Sequence, residues 1–130
     1  MRLTTDNLYT LAEQHNIHIS WRTNLPHKGI WIPNLHTIVL NNHIHGPDLR
    51  CTLAHELAHA LHNHPPGHHP HNERQADETA ATWLITPTEY ALAEKIYGPH
   101  IADIAQELEV TMHMVKTWRK MAARKRLQPK

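Results

Sequence analysis

Apolar residues along the chain change their period several times, and each change marks an element. From Thr5 or Asp6, either able to cap a helix, Leu8, Leu11 and Ala12 recur at helical spacing and predict a first helix to about Asn16. The period then falls to two. Ile17-His18-Ile19-Ser20-Trp21, Gly29 to Ile32 and Thr37 to Leu40 alternate as short strands separated by turn-forming Asn, Pro and Gly, and together predict a small antiparallel sheet. Helical spacing returns with Leu49, Leu53, Leu57, Ala60 and Leu61, in a helix opened by Pro47 and Asp48 and stopped by Pro65-Pro66-Gly67. A further helix is expected from about Glu73 to Ile85, stopped at Pro87, and another from about Thr88 to Tyr97, ended by Gly98-Pro99. Ile101, Ile104, Ala105, Leu108, Val110, Val115 and Trp118 then have the spacing of a helix-turn-helix, with Thr111 able to cap its second helix. Glu109 stands at the turn position that Gly normally fills.

This order of elements predicts an α+β fold. At 130 residues and 40% hydrophobic content the chain suits one domain, with a core over residues 1–99 and a C-terminal helix pair over 100–126. Phe is absent and Gly is scarce, so the core rests on Leu, Ile, Ala and four Trp. The formal net charge of +1 says little about partners, but its distribution says more. Lys116, Arg119, Lys120, Arg124, Lys125, Arg126 and Lys130 crowd one end, and no acidic residue follows Glu109. Such an end is able to meet nucleic acid or an acidic protein, although a solvated tail is the commoner outcome. Cys51 is the single cysteine, which excludes an intrachain disulfide and fits a small buried residue in a reducing cytosol. No apolar run approaches the length of a membrane span and the N-terminus lacks a secretion signal, so a soluble cytoplasmic protein is expected.

The chemistry concentrates at His55-Glu56-Leu57-Ala58-His59. Two His at i and i+4 leave the same face of a helix, where their neutral ring nitrogens suit Zn²⁺. Glu56 between them is placed as general base for a water activated by the metal. With 15 His in the chain the pentapeptide alone is weak evidence, and its setting beside the buried Leu stripe of the same helix is what strengthens it.

Two imidazoles leave a catalytic zinc one protein ligand short. Asn72-Glu73-Arg74-Gln75-Ala76-Asp77 resembles the second metal helix of the thermolysin-like zinc peptidases, and that resemblance makes Glu73 the third ligand. Asp77, one turn later, would accept the distal N–H of a ligand imidazole and fix its tautomer. The rivals are Asp77 itself, a loop histidine and Glu78, which projects about 140° away from Glu73 around the helix. His62 lies near the face of His59 and is able to touch the rim of the site, but as a ligand it would compete with Glu73. The remaining histidines of the His62 to His71 loop read as a surface segment with room for additional metal.

The wider pattern is similar to the ImmA/IrrE family of metallopeptidases, in which an H-E-x-x-H helix is followed by a helix of the form E-x-x-A-[ND], small and apolar residues, and a Pro. Here that run is Glu73, Ala76, Asp77, Ala80, Ala81, Trp83, Leu84, Ile85 and Pro87, and Ile38-Val39-Leu40 supplies the strand before the metal helix. The resemblance covers Ile30 to Pro87 well and the rest more loosely. Thr79, where the family often has an aromatic, and the Pro/His-rich loop depart from the pattern without touching a proposed ligand.

The resemblance implies a small zincin-like domain and a zinc-dependent endopeptidase acting on a protein substrate, such as a transcriptional repressor of a prophage or mobile element. In that reading His55, His59 and Glu73 hold the metal and Glu56 moves the proton. Tyr90, Tyr97 or a loop histidine would stabilise the oxyanion, and the strand Thr37 to Leu40 would offer its edge to an extended substrate. A second reading is a DNA-associated regulator with a non-catalytic zinc, acting through residues 100–126. A third, a His-rich metal-binding module, leaves Glu56 without a use.

Overall fold

The computed structural model describes residues 2–127 and the side chains of residues 2–125. Lys130 and the Arg126 side chain, both part of the basic tail, lie outside the described residues. The elements run α1 (Thr5–Gln14), β1 (His18–Arg22), β2 (Gly29–Ile32), β3 (Thr37–Asn41), α2 (Gly46–Leu61), α3 (Pro70–Leu84), α4 (Pro87–Tyr97), α5 (Ile101–Leu108) and α6 (Met112–Leu127). The fold is α+β, as the order of periods implied. Thr4 rather than Thr5 or Asp6 caps α1, in a reciprocal capping box with Asn7. Pro70 opens α3 three residues earlier than expected, which puts Glu73 inside its first turn.

The sheet is mixed, not antiparallel. Its order is β1-β3-β2, with β3 parallel to β1 and antiparallel to β2. Periodicity reports which residues alternate and is blind to the direction of pairing. Burial decides the placement: Ile38, Val39 and Leu40 are apolar on both faces and take the centre, whereas the half-exposed β1 and β2 take the edges. One consequence corrects the expected role of Thr37 to Leu40. Both edges of β3 are already paired, so this strand has no free edge for a substrate, while β2 is paired on one side only among the described residues.

Helix α2 is the centre of the molecule. Leu53, Ala54, Leu57 and Ala58 are fully buried, and the first three join Leu8, Ile38, Leu40, Leu84 and Val115 in one continuous apolar cluster that takes in α5 and α6. Arg50, on the same helix, is also buried, and its guanidinium donates to five carbonyl contacts. Nε and Nη2 reach Leu3 O at 3.1 and 2.8 Å, Nη2 reaches Leu84 O at 3.3 Å, and Nη1 reaches Leu108 O and Glu109 O at 2.9 Å each. One planar fork thereby joins the N-terminal segment, the end of α3 and the α5–α6 turn to α2. Burial, then the neighbouring Arg2, lowers the Arg50 pKa below its ordinary value.

The α5–α6 turn is made as the sequence implied. Glu109 adopts the left-handed conformation at φ 57°, and the Thr111 hydroxyl accepts from Met114 N at 3.2 Å. This pair does not project as a separate arm: α6 lies along α3, and Arg124 pairs with Glu78 while Arg119 donates to the Tyr90 hydroxyl at 2.5 Å. Lys116, Lys120 and Lys125 stay exposed. No described helix is long and apolar enough to cross a membrane.

Candidate metal centre

Helix α2 presents His55 and His59 one turn apart on the side that faces the start of α3, and the early opening of α3 brings Glu73 opposite them. His59 Nε2 lies 3.0 Å from His55 Nε2 and 2.5 Å from Glu73 Oε2, and His55 Nε2 lies 3.5 Å from Glu73 Oε1. The three ligand atoms fall within 4.8 Å of one another. Tetrahedral zinc with bonds of about 2.0–2.1 Å separates its ligand atoms by about 3.3 Å, which is the scale of these spacings. Glu73 Oε2 is buried and has no aligned hydrogen bond despite its 2.5 Å contact with His59. The two ring nitrogens are close enough to share a proton, but the carboxylate oxygen turned toward them has no such partner, and this convergence is a good fit to a cation. The two imidazoles and one carboxylate suit zinc as a donor set.

Asp77 follows Glu73 by one turn and sits behind His55, its Oδ1 2.8 Å from Nδ1. The contact is close, although the ring N–H is not well aligned on that oxygen. The other Asp77 oxygen is 2.8 Å from Nε2 of His113, on the first turn of α6. Burial raises the Asp77 pKa, but His55 and His113 outweigh it and hold the carboxyl below its ordinary 3.8. Burial lowers the His55 pKa, but its contact with Asp77 and the nearby charges of Glu56 and Glu73 together reverse this to a net rise. His59, where burial and neighbouring His55 prevail over Glu73, is lowered to about 4.

Glu56 is 9% exposed and points under β2. Burial, opposed by His55 and reinforced by Glu73, raises its pKa above 4.5, in the direction a proton-shuttling carboxyl needs. Gly29 on β2 makes room for it: a Cβ there would come 2.8 Å from Thr52 Cγ2, 3.1 Å from Leu40 Cδ2 and 3.3 Å from Glu56 Cγ. Beside these groups lies an open cleft of about 500 Å³. Its floor is His55, Glu56, Glu73 and Asp77, one wall is Lys28 and Gly29, and the other is Thr111 to Met114 at the start of α6.

Of the groups expected to meet an oxyanion, the loop residue His68 borders this cleft, exposed, with Nδ1 3.5 Å from Glu73 Oε1. Tyr90 is elsewhere, buried and stacked on Trp118 with its hydroxyl donating to Glu94. Tyr97 packs against the core. His62 is not in the cluster and meets the Thr79 hydroxyl at 2.8 Å, and Glu78 is turned to Arg124.

Three contributors escaped the sequence reading. His113 was absorbed into a helix-turn-helix pattern, Gly29 looked like an ordinary strand start, and His64 was grouped with the surface loop, yet it is 7% exposed and stands behind His59. The only local signal for His64 was its position just past the end of the metal helix, where Asn63 turns the chain left-handed at φ 55°.

Compared with known families, the model of the Peptidase M78 family, described as an IrrE N-terminal-like domain, matches residues 12–117. Among curated proteins no significant match was found.

Proposed function

Because the chain belongs to the Peptidase M78 family, a family of metal-dependent peptidases, we propose that it is a zinc-dependent endopeptidase and that its substrate is a protein such as a transcriptional repressor. The observation that carries this reading is the meeting of His55 Nε2, His59 Nε2 and the Glu73 carboxylate beside Glu56, with His55, Glu56 and Glu73 lining an open cleft. His55, His59 and Glu73 would hold the ion. When bound, zinc supplies Lewis acidity, which polarises a scissile carbonyl and makes water a nucleophile near neutral pH.

The chain's own groups supply the rest. An extended substrate pairs with the edge of β2 that has no partner strand among the described residues, where Gly29 to Trp31 border the site, so the backbone of the substrate is aligned without regard to its side chains. Selectivity then falls to the opposite wall, where Met112 is 49% exposed. Glu56 accepts a proton from the attacking water and returns it to the leaving amine, a task suited to a buried carboxyl of raised pKa. His68 is the side chain from the loop side placed to donate to the oxygen on which charge develops.

The test is Glu56→Gln. The variant is expected to bind one equivalent of zinc, measured by elemental analysis, and to lose hydrolysis of a co-expressed repressor substrate by about 10²-fold or more. Retained turnover in Glu56→Gln overturns the proposal.

A further inference from the structure

The two imidazoles of the centre are backed differently. His55 has the carboxylate of Asp77 behind it. His59 has another imidazole: its Nδ1 is 2.9 Å from Nδ1 of His64, and Nε2 of His64 is 2.7 Å from Oε1 of Gln75 on α3. His64 is held in this place by the backbone, since its N–H donates to His59 O at 3.0 Å after the left-handed Asn63, and its ring stacks on His62.

We propose that His64, oriented by Gln75, is a positioning residue that fixes the tautomer and ring orientation of His59. This rests on His59 being a metal ligand through Nε2. The proton inventory then has one solution. A ring whose Nε2 lone pair faces a cation carries its proton on Nδ1, so His59 donates to His64. The Nδ1 of His64 is the acceptor, which leaves the His64 proton on Nε2, facing an amide oxygen that accepts it. Each nitrogen along the line has a role, and none is left without a partner. The alternative in which His64 merely fills space at the helix end requires no such order of donors and acceptors.

The arrangement also sets a charge. With a neutral partner behind His59 and an anionic one behind His55, the groups backing the two imidazoles add one carboxylate, Asp77, to those of Glu73 and Glu56. A second carboxylate behind the ligand rings would weaken the electrophile that the peptidase reading needs. Gln75 is therefore more than a neutral spacer: as an amide it accepts from His64 without adding negative charge.

Zinc affinity of the purified protein, measured by competition with a chromophoric chelator, tests the assignment without reference to turnover. His64→Leu is expected to weaken binding by about 10–100-fold, the usual loss when a partner of a ligand histidine is removed. In His64→Asn an amide oxygen stands near the former Nδ1 and accepts from His59, so most of the affinity should return. A second measurement needs no variant. In the ¹⁵N-labelled zinc-loaded protein one imidazole proton should show coupling to the Nδ1 of both His59 and His64, the signature of an N–H···N bond. Wild-type affinity in His64→Leu, equal damage in Leu and Asn variants, or zinc-loaded protein lacking the shared proton each overturns the role of His64. Failure of the wild-type protein to bind zinc overturns instead the reading on which it rests.

Discussion

The carboxylate of Asp77 stands 2.8 Å from Nδ1 of His55 and, through its other oxygen, 2.8 Å from Nε2 of His113. It is shared between the proposed metal centre and the first turn of α6, so the C-terminal helix pair is joined to the site through one side chain. A carboxylate in this place orients the ligand ring and raises its basicity. Asp77→Asn keeps the shape and removes the charge. Its zinc affinity should fall by about 10–100-fold. His113→Ala should lose less, because His113 is largely exposed and its contact is screened. Unchanged affinity in Asp77→Asn, by chelator competition, would show that the carboxylate has no hold on the ligand.

Gly29 is a second point of control, acting through space alone. The 2.8 Å approach that its missing Cβ avoids is to Thr52, and the 3.3 Å approach is to Glu56 itself. Gly29→Ala is expected to displace Glu56 and lower kcat by roughly 10-fold or more, since small displacements of a reacting group are costly. Zinc affinity should hold, because neither imidazole is touched. Gly29→Ala combined with Thr52→Ser, which removes the closest methyl, should recover part of the loss. A fully active Gly29→Ala protein would mean that β2 yields freely at this position.

Much of this geometry was legible in local sequence. His55, Glu56 and His59 lie within one helical turn and a half, so their shared face follows from helical spacing. The Glu73 and Asp77 pair follows for the same reason once α3 is recognised. What stayed hidden depends on segments distant in the chain. The parallel pairing of β1 with β3 has the same alternation as an antiparallel one, and only the two-sided burial of Ile38, Val39 and Leu40 distinguishes a central strand. The contact of His113 with Asp77 spans 36 residues, and that of Arg50 with Glu109 spans 59. No periodicity carries such information. His64 was near in sequence but obscured by its company, one of five histidines between residues 62 and 71.

Arg50 shows how much of the fold can rest on a residue that looks like a surface charge. It is 6% exposed, and its fork satisfies carbonyls at Leu3, Leu84, Leu108 and Glu109. Arg50→Leu removes this donor from Leu3, Leu84 and Glu109, while Leu108 O keeps its contact with Arg2 at 3.2 Å, and each buried unsatisfied group costs about 1–3 kcal/mol. A loss of about 3 kcal/mol or more is expected in urea unfolding. Arg50→Lys should recover little, since one ammonium cannot address carbonyls arranged around a planar fork. A Lys variant as stable as the wild type would mean that charge alone, and not the fork, holds these segments.

Glu109 carries the opposite expectation, a gain. Its left-handed conformation at φ 57° ends α5, where a side chain costs about 1–2 kcal/mol relative to the right-handed region. Replacement by Gly removes that cost but adds freedom to the unfolded chain worth about 0.4–1 kcal/mol. The carboxylate contributes little in compensation, being 71% exposed and 3.7 Å from Arg2. The carbonyl that Arg50 binds belongs to the backbone and survives the change. Glu109→Gly should therefore stabilise the protein by about 0.5 kcal/mol, read as a higher urea midpoint at unchanged slope. A lower midpoint would show that the Glu109 side chain stabilises the turn by more than its backbone conformation costs, and would give its ion pair with Arg2 a weight that exposed pairs rarely have.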